Sequence, residues 1–115
     1  MMNTDCIFCT IIEGRLPVAL IAESETVIVI KDKYPKASIH YLIIPKSHYR
    51  TLQDLDDHAV LGDLLQMARS LAESDPTLSD FKLLLNNGYL AGQRVFHVHM
   101  HFLAGSEKIN LENII

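Results

Sequence analysis

Nine residues near the end of the chain, Val95-Phe96-His97-Val98-His99-Met100-His101-Phe102-Leu103, leave few conformations open. Along a β-strand successive side chains point to opposite faces. A strand here puts His97, His99 and His101 on one face, and Phe96, Val98, Met100 and Phe102 on the other as a row to bury. Three same-face imidazoles would repel one another if all were charged. A chain that needed only a strand would place Thr, Val or Ile there. The face is therefore a merely solvated polar surface, a metal site, or a site that handles phosphate with a histidine nucleophile.

The rest of the chain builds a sheet to receive this strand. Cys6–Glu13 reads as a short helix with Asp5 as its N-cap and Gly14 as its stop. Val18–Glu23 and Thr26–Lys31 are β-branched runs separated by Ser24-Glu25, a hairpin signal. Pro35 keeps Tyr34 out of the helical region, which makes 32–38 a loop. Ile39–Ile44 is a third strand stopped by Pro45. From about Asp56 to Glu73, Val60, Leu61, Leu64, Leu65, Met67, Ala68, Leu71 and Ala72 recur at helical spacing, with Asp54 or Asp56 as the cap. Asp57, Asp63, Arg69 and Ser70 take the other side of that helix. Phe81–Asn86 is a fourth strand and Val95–Ala104 the fifth. The predicted class is α+β: a five-stranded antiparallel sheet with one long helix on one face and one short N-terminal helix. The histidine face is expected on the other side, open to a ligand. With 115 residues the chain is expected to form a single domain, 1–115, with a polar tail over about 105–115.

The net charge of −4 and the absence of any Lys/Arg cluster argue against a nucleic-acid surface, so a bound anion must be held by local groups. No apolar run is long enough to span a bilayer, and Met1-Met2-Asn3-Thr4-Asp5 has no secretory character, so a cytoplasmic protein without membrane partners is expected. Both cysteines, Cys6 and Cys9, lie in one Cys-x-x-Cys, which in a reducing compartment points to metal or redox use rather than a bridge.

Strand rise separates the outer two of the three histidines by roughly 13 Å, which disfavours one zinc held by all three. Cys6 and Cys9 with His48 and His97 offer a closed Cys₂His₂ set instead; the plain alternative is a pair of small half-buried apolar cysteines. A nucleophile accounts for the histidine row more fully. A neutral imidazole can attack phosphorus when its other nitrogen is held by an acceptor. His99, flanked on both sides, is the natural nucleophile. His101, protonated, would then donate to phosphate oxygens, with His40 orienting or balancing charge. Backbone N–H groups around Gly92 and Arg94 could cradle the anion. His58, Lys46, Arg50 and Lys82 read as solvated side chains, and Tyr34 and Lys36 as loop residues.

His97-Val98-His99-Met100-His101-Phe102-Leu103 resembles the motif of the histidine triad (HIT) family, His-x-His-x-His followed by two apolar residues. Cys6-Ile7-Phe8-Cys9 with Ile11-Ile12 and Pro17, the block His40–His48, Leu85-Asn86-Asn87-Gly88 and Gly92-Gln93 resemble segments of its nucleotide-binding (HINT-like) branch in the same order. The resemblance implies a homodimer whose sheets join, with a purine mononucleotide site (AMP, GMP or their amine conjugates) on each subunit. It implies a purine nucleoside phosphoramidase that hydrolyses AMP–amine conjugates through a nucleotidyl-histidine intermediate. Carried over by position, His99 is the covalent nucleophile and His101 and His40 are its partners. Asp32 and Lys33 fall on positions that contact ribose and base; Asn86, Gly92 and Gln93 fall on phosphate-side positions, and no organic cofactor is implied. Some bacterial members with the same cysteine pair bind zinc, and the resemblance implies the matching positions Cys6, Cys9, His48 and His97 as its ligands. One residue departs from the pattern: Arg94 stands where the family usually has Ser or Thr. A guanidinium cannot relay a proton at neutral pH, but it can clamp phosphate oxygens. A dinucleoside polyphosphate hydrolase or nucleotidyl transferase, and a zinc-stabilised nucleotide-binding module with little catalysis, are the competing readings.

Overall fold

The computed structural model describes residues 5–105. The expected tail beyond Gly105 lies outside these residues. In chain order the elements are α1 (Ile7–Ile12), β1 (Leu20–Glu23), β2 (Val27–Lys31), β3 (Ile39–Pro45), α2 (His58–Ser74), β4 (Phe81–Leu84) and β5 (Met100–Ala104). The strands form one antiparallel sheet in the order β1-β2-β3-β5-β4. The α+β class, the five strands and the two helices are those expected.

The sheet is buried on both faces, which is why β2 and β3 read as nearly continuous apolar runs rather than as alternation. On one face Val27, Val29, Ile43, Met100, Phe102 and Ala104 pack against Val60, Leu64, Met67, Ala68 and Leu71 of α2. Removing one such leucine from water contributes about 2 kcal/mol. On the other face Ile28, Ile30, Leu42 and Ile44 pack against Cys6, Phe8 and Cys9 at the start of α1. The histidine face is therefore partly roofed by α1 instead of standing open.

Several boundaries differ from expectation for local reasons. The cap of α1 is Cys6, whose Sγ accepts from the Cys9 N–H at 3.4 Å, and not Asp5. The cap of α2 is Asp57 and neither of the expected Asp54 and Asp56, because its carboxylate reaches the N–H groups of Ala59 and Val60. Leu65 is 59% exposed, one position off the buried stripe that runs through Leu64. The fifth strand starts only at Met100. At Val98 the N–H donates instead to the carbonyl of Tyr49 at 2.8 Å, so residues 95–99 leave the ladder. Phe96 drops out of the buried apolar row and lies beneath the Arg50 guanidinium, 5.0 Å from it. Among the described residues no helix is long and apolar enough to cross a membrane.

Candidate active site and candidate metal centre

Adjacent central strands bring His40 and His101 together: His40 pairs with Leu103 across the β3–β5 ladder, and His101 with Leu42. The two rings meet through His40 Nε2 and His101 Nδ1 at 2.8 Å. The Lys36 N–H donates to His40 Nδ1 at 2.9 Å, so the His40 proton sits on Nε2 and is given to His101 Nδ1. His101 then carries its own proton on Nε2. Asp32 places Oδ2 3.3 Å from His40 Nε2 and 3.8 Å from His101 Nδ1, while its Oδ1 accepts from the Tyr34 N–H. These three residues are close enough to surround a cation. A metal on His40 Nε2 would have to displace the proton that the Lys36 bond fixes there, so a hydrogen-bonded chain is the arrangement that fits.

Burial lowers the pKa of both rings. For His40 desolvation leads and is opposed by Asp32. For His101 desolvation leads, His99 and His40 add to it, and Asp32 opposes, leaving a pKa of about 4. The expected protonated His101 is thus corrected: near neutral pH it is an uncharged ring that still donates one N–H. A cavity of about 350 Å³ opens over the pair, lined by Asp32, Tyr34, Lys36, His40, Leu84, Asn86, His101 and Leu103.

His99 lies beside this chain, its ring centroid 5.4 Å from that of His101 and 5.0 Å from Phe8 of α1. His99 Nδ1 donates to the carbonyl of His97 at 2.8 Å. Desolvation lowers its pKa against the opposing pull of that carbonyl and of Asp32, so the ring is neutral with an unprotonated Nε2. An imidazole held this way can attack an electrophile.

The turn before the histidines is fixed by glycines. Gly92 has φ +98°, and a Cβ there would meet Asn86 Nδ2 at 3.3 Å. The Asn86 amide in turn donates to the Ala91 carbonyl at 2.8 Å. Two residues expected beside the nucleotide have other partners here. Gln93 points inward: its Oε1 accepts from the Gly88 N–H, and its Nε2 donates to the carbonyls of Arg50 and Val95. Its own N–H donates to the Gly88 carbonyl, so Gln93 closes the turn and has no donor left for a phosphate. Lys33 is exposed, its ammonium 5.8 Å from the Tyr34 ring, and the lysine that reaches the cavity is Lys36. Arg94 folds back on the turn, donating to the carbonyls of Tyr89 and Gln93, with its guanidinium 4.6 Å from the Tyr89 ring. Sequence reasoning missed Lys36, Leu84 and Leu103 as cavity walls and Phe8 as the ring beside His99. The tautomer-setting bond from Lys36 uses a backbone N–H, which leaves no trace in residue type.

The second cluster joins the start of α1, the end of β3 and the segment before β5. One ligand atom from each of Cys6, Cys9, His48 and His97 lies within 4.8 Å of the others. His97 Nδ1 is 3.3 Å from Cys6 Sγ, 3.5 Å from Cys9 Sγ and 3.2 Å from His48 Nδ1; Cys9 Sγ is 3.2 Å from His48 Nδ1. A tetrahedral Cys₂His₂ zinc has donor–donor edges of roughly 3.3–3.8 Å, so this set fits the ion. His97, fully buried, donates Nε2–H to the Pro45 carbonyl at 2.8 Å, which leaves Nδ1 unprotonated toward the thiols. That is the orientation a carbonyl partner imposes on a metal-bound histidine. Desolvation lowers the His97 pKa to about 4 against the Pro45 bond, and burial raises that of Cys6. His48 Nε2 is buried with no hydrogen-bond partner among the described residues.

Residues 5–114 match the family described as scavenger mRNA decapping enzyme C-term binding. The chain is 42% identical over 101 residues to an uncharacterized HIT-like protein of Chlamydia muridarum, covering 86% of this chain and 80% of that one. It is 38% identical over 109 residues to the adenylylsulfatase HINT3 of Arabidopsis thaliana, covering 93% of this chain and 55% of that protein. Among solved structures, a histidine triad protein from Clostridium difficile superposes with a TM-score of 0.87 at 33% identity, covering 96% of this chain and 98% of that one. A Zn-bound histidine triad family protein from Mycobacterium smegmatis superposes at 0.81 with 29% identity, covering 92% and 80%.

Proposed function

This chain belongs to the histidine triad (HIT) family, and from that premise we propose that it is a purine nucleoside phosphoramidase acting on AMP–amine conjugates. The observation that carries the reading is the 2.8 Å bond from His99 Nδ1 to the His97 carbonyl, which leaves Nε2 unprotonated. His99 Nε2 attacks phosphorus, the P–N bond breaks, and the amine leaves with a proton taken from solvent water, which regains one when water later cleaves the intermediate. Water then cleaves the nucleotidyl-histidine, releasing AMP and restoring His99. His101 Nε2–H donates to a phosphate oxygen, and His40, held by Lys36 and Asp32, fixes the His101 tautomer. Asn86 and the Gly92 turn border the phosphate; Asp32 borders the ribose.

Cys6, Cys9, His48 and His97 would hold a zinc ion, which when bound cross-links three segments and takes no part in the reaction. His97 thereby serves two masters through two atoms: its ring in the cluster and its carbonyl on His99. We further read the whole chain as one domain that works in the cytoplasm as a homodimer, for which light scattering should give twice 13.0 kDa.

Incubation with an AMP–amine phosphoramidate, followed by AMP release and intact-protein mass, tests the chemistry. Native protein should release AMP with a transient nucleotidyl adduct, and His99→Ala should do neither while melting as native. Native-rate turnover by His99→Ala would end the covalent reading.

A further inference from the structure

A second cleft, of about 340 Å³, opens between the first residues of α1 and the segment leading to His97. Its walls include Asp5, Arg50, Arg94 and Phe96, together with Cys6 and His48 of the metal cluster. Arg50, which the sequence alone reads as a solvated charge, is laid over the Phe96 ring, and Arg94 is stacked on Tyr89 and tied to two backbone carbonyls. Ring stacking and carbonyl bonds pre-organise a guanidinium without neutralising it. Among the described residues neither arginine is in a salt bridge. Two fixed cations against the single carboxylate of Asp5 make this cleft locally positive in a chain of net charge −4. Like charges repel, and an anion between them relieves that repulsion.

The position of the cleft along the chain assigns it a task. Arg94 stands two residues, at most about 7 Å of chain, beyond Gly92, whose neighbour Asn86 lines the histidine cavity. Val95 and Phe96, which wall the cleft, run directly into His97 and His99. On the reading above, which puts the phosphate beside the Gly92 turn, Arg94 lies just beyond that turn on the side of the cleft.

We infer that the Arg50–Arg94 cleft receives the leaving group and selects one that carries a negative charge, a carboxylate or a further phosphate. The inference rests on the phosphoramidase reading above and names its substrate class. The test compares kcat/KM for AMP joined to propylamine, for AMP joined to β-alanine, which has similar length and a terminal carboxylate, and for diadenosine tetraphosphate. Native protein should favour at least one of the two anionic substrates over the propylamine conjugate, and added salt should shrink the preference. Arg50→Gln should cut that preference about fivefold, and Arg50→Glu by more. Arg94→Gln should act in the same direction. Both arginines are exposed, and a thermal melt verifies that the variants fold. Dependence on Arg50 for the β-alanine conjugate identifies a carboxylate as the ligand; dependence for the tetraphosphate identifies a phosphate. Preferences identical in native and Arg50→Glu protein, with the propylamine conjugate turned over, overturn the cleft and leave the phosphoramidase standing. No turnover of any of the three overturns both.

Discussion

At the scale of single residues, chemistry here is set by which ring nitrogen carries the proton. Three backbone groups make that choice: the Lys36 N–H for His40, the His97 carbonyl for His99 and the Pro45 carbonyl for His97. The two carbonyl bonds taken alone favour the charged ring, but burial outweighs them and keeps His97 and His99 neutral, as it does His40. In the proposed reaction a neutral His99 is the reactive form, and its pKa lies below the ordinary 6.5. The acid limb of kcat/KM for an AMP–amine substrate should therefore fall at a pH below 6.5, with activity level from there to neutrality. A limb centred at or above 6.5 would mean that His99 is not the titrating base. The residues themselves announced the histidines, but not their tautomers. Gln93 shows the converse: its type and position invite a phosphate contact, yet its side chain bonds the backbone of Gly88, Val95 and the distant Arg50.

Among elements, the short helix α1 carries more weight than its length suggests. Six residues cannot hold a helix in water on their own. Its order comes from Phe8 packed on His97 and His99, and from Cys6 and Cys9 facing His48 and His97. If the cluster binds zinc, a chelator should strip about one equivalent and lower the melting temperature by several degrees, since a ligand bound only to the folded state stabilises it. Cys9→Ser should melt low from the start and respond little to the chelator. Equal melting with and without chelator, and no zinc by metal analysis, would reduce the cluster to hydrogen-bonded packing. Helix α2, by contrast, was legible from its apolar spacing, because its stripe packs on a sheet and needs no other partner to be recognised.

For the whole molecule, the sheet gathers neutral histidines into a partly buried set, and that has a cost in acid. An unfolded chain protonates His near 6.5, whereas folded His101 takes its proton only near 4. Above 6.5 neither state binds it and stability is unaffected. As the pH falls from 6.5 toward 4 the unfolded state gains the proton first, so stability is lost across that window, up to about 3 kcal/mol for His101 alone. Denaturant melts at pH 7.5, 6 and 4.5 should show the midpoint falling steadily below 6.5, and a flat midpoint would refute it. His101→Asn should flatten part of the slope.

What the sequence determined by itself was the set of elements, their approximate limits, the α+β class and the histidine motif. Those follow from periodicity, turn residues and motif spacing, all of which are local. Only the tertiary structure decided that residues 95–99 leave the strand, that α1 roofs the histidine face, that Gln93 turns inward, and that Arg50 meets Arg94 in one cleft. Each of these depends on a partner far away in the chain: Tyr49 for Val98, Cys6 for His97, Arg50 for Gln93. A hydrogen bond to a distant backbone carbonyl has no residue type of its own, and so it enters the account only when the chain has closed on itself.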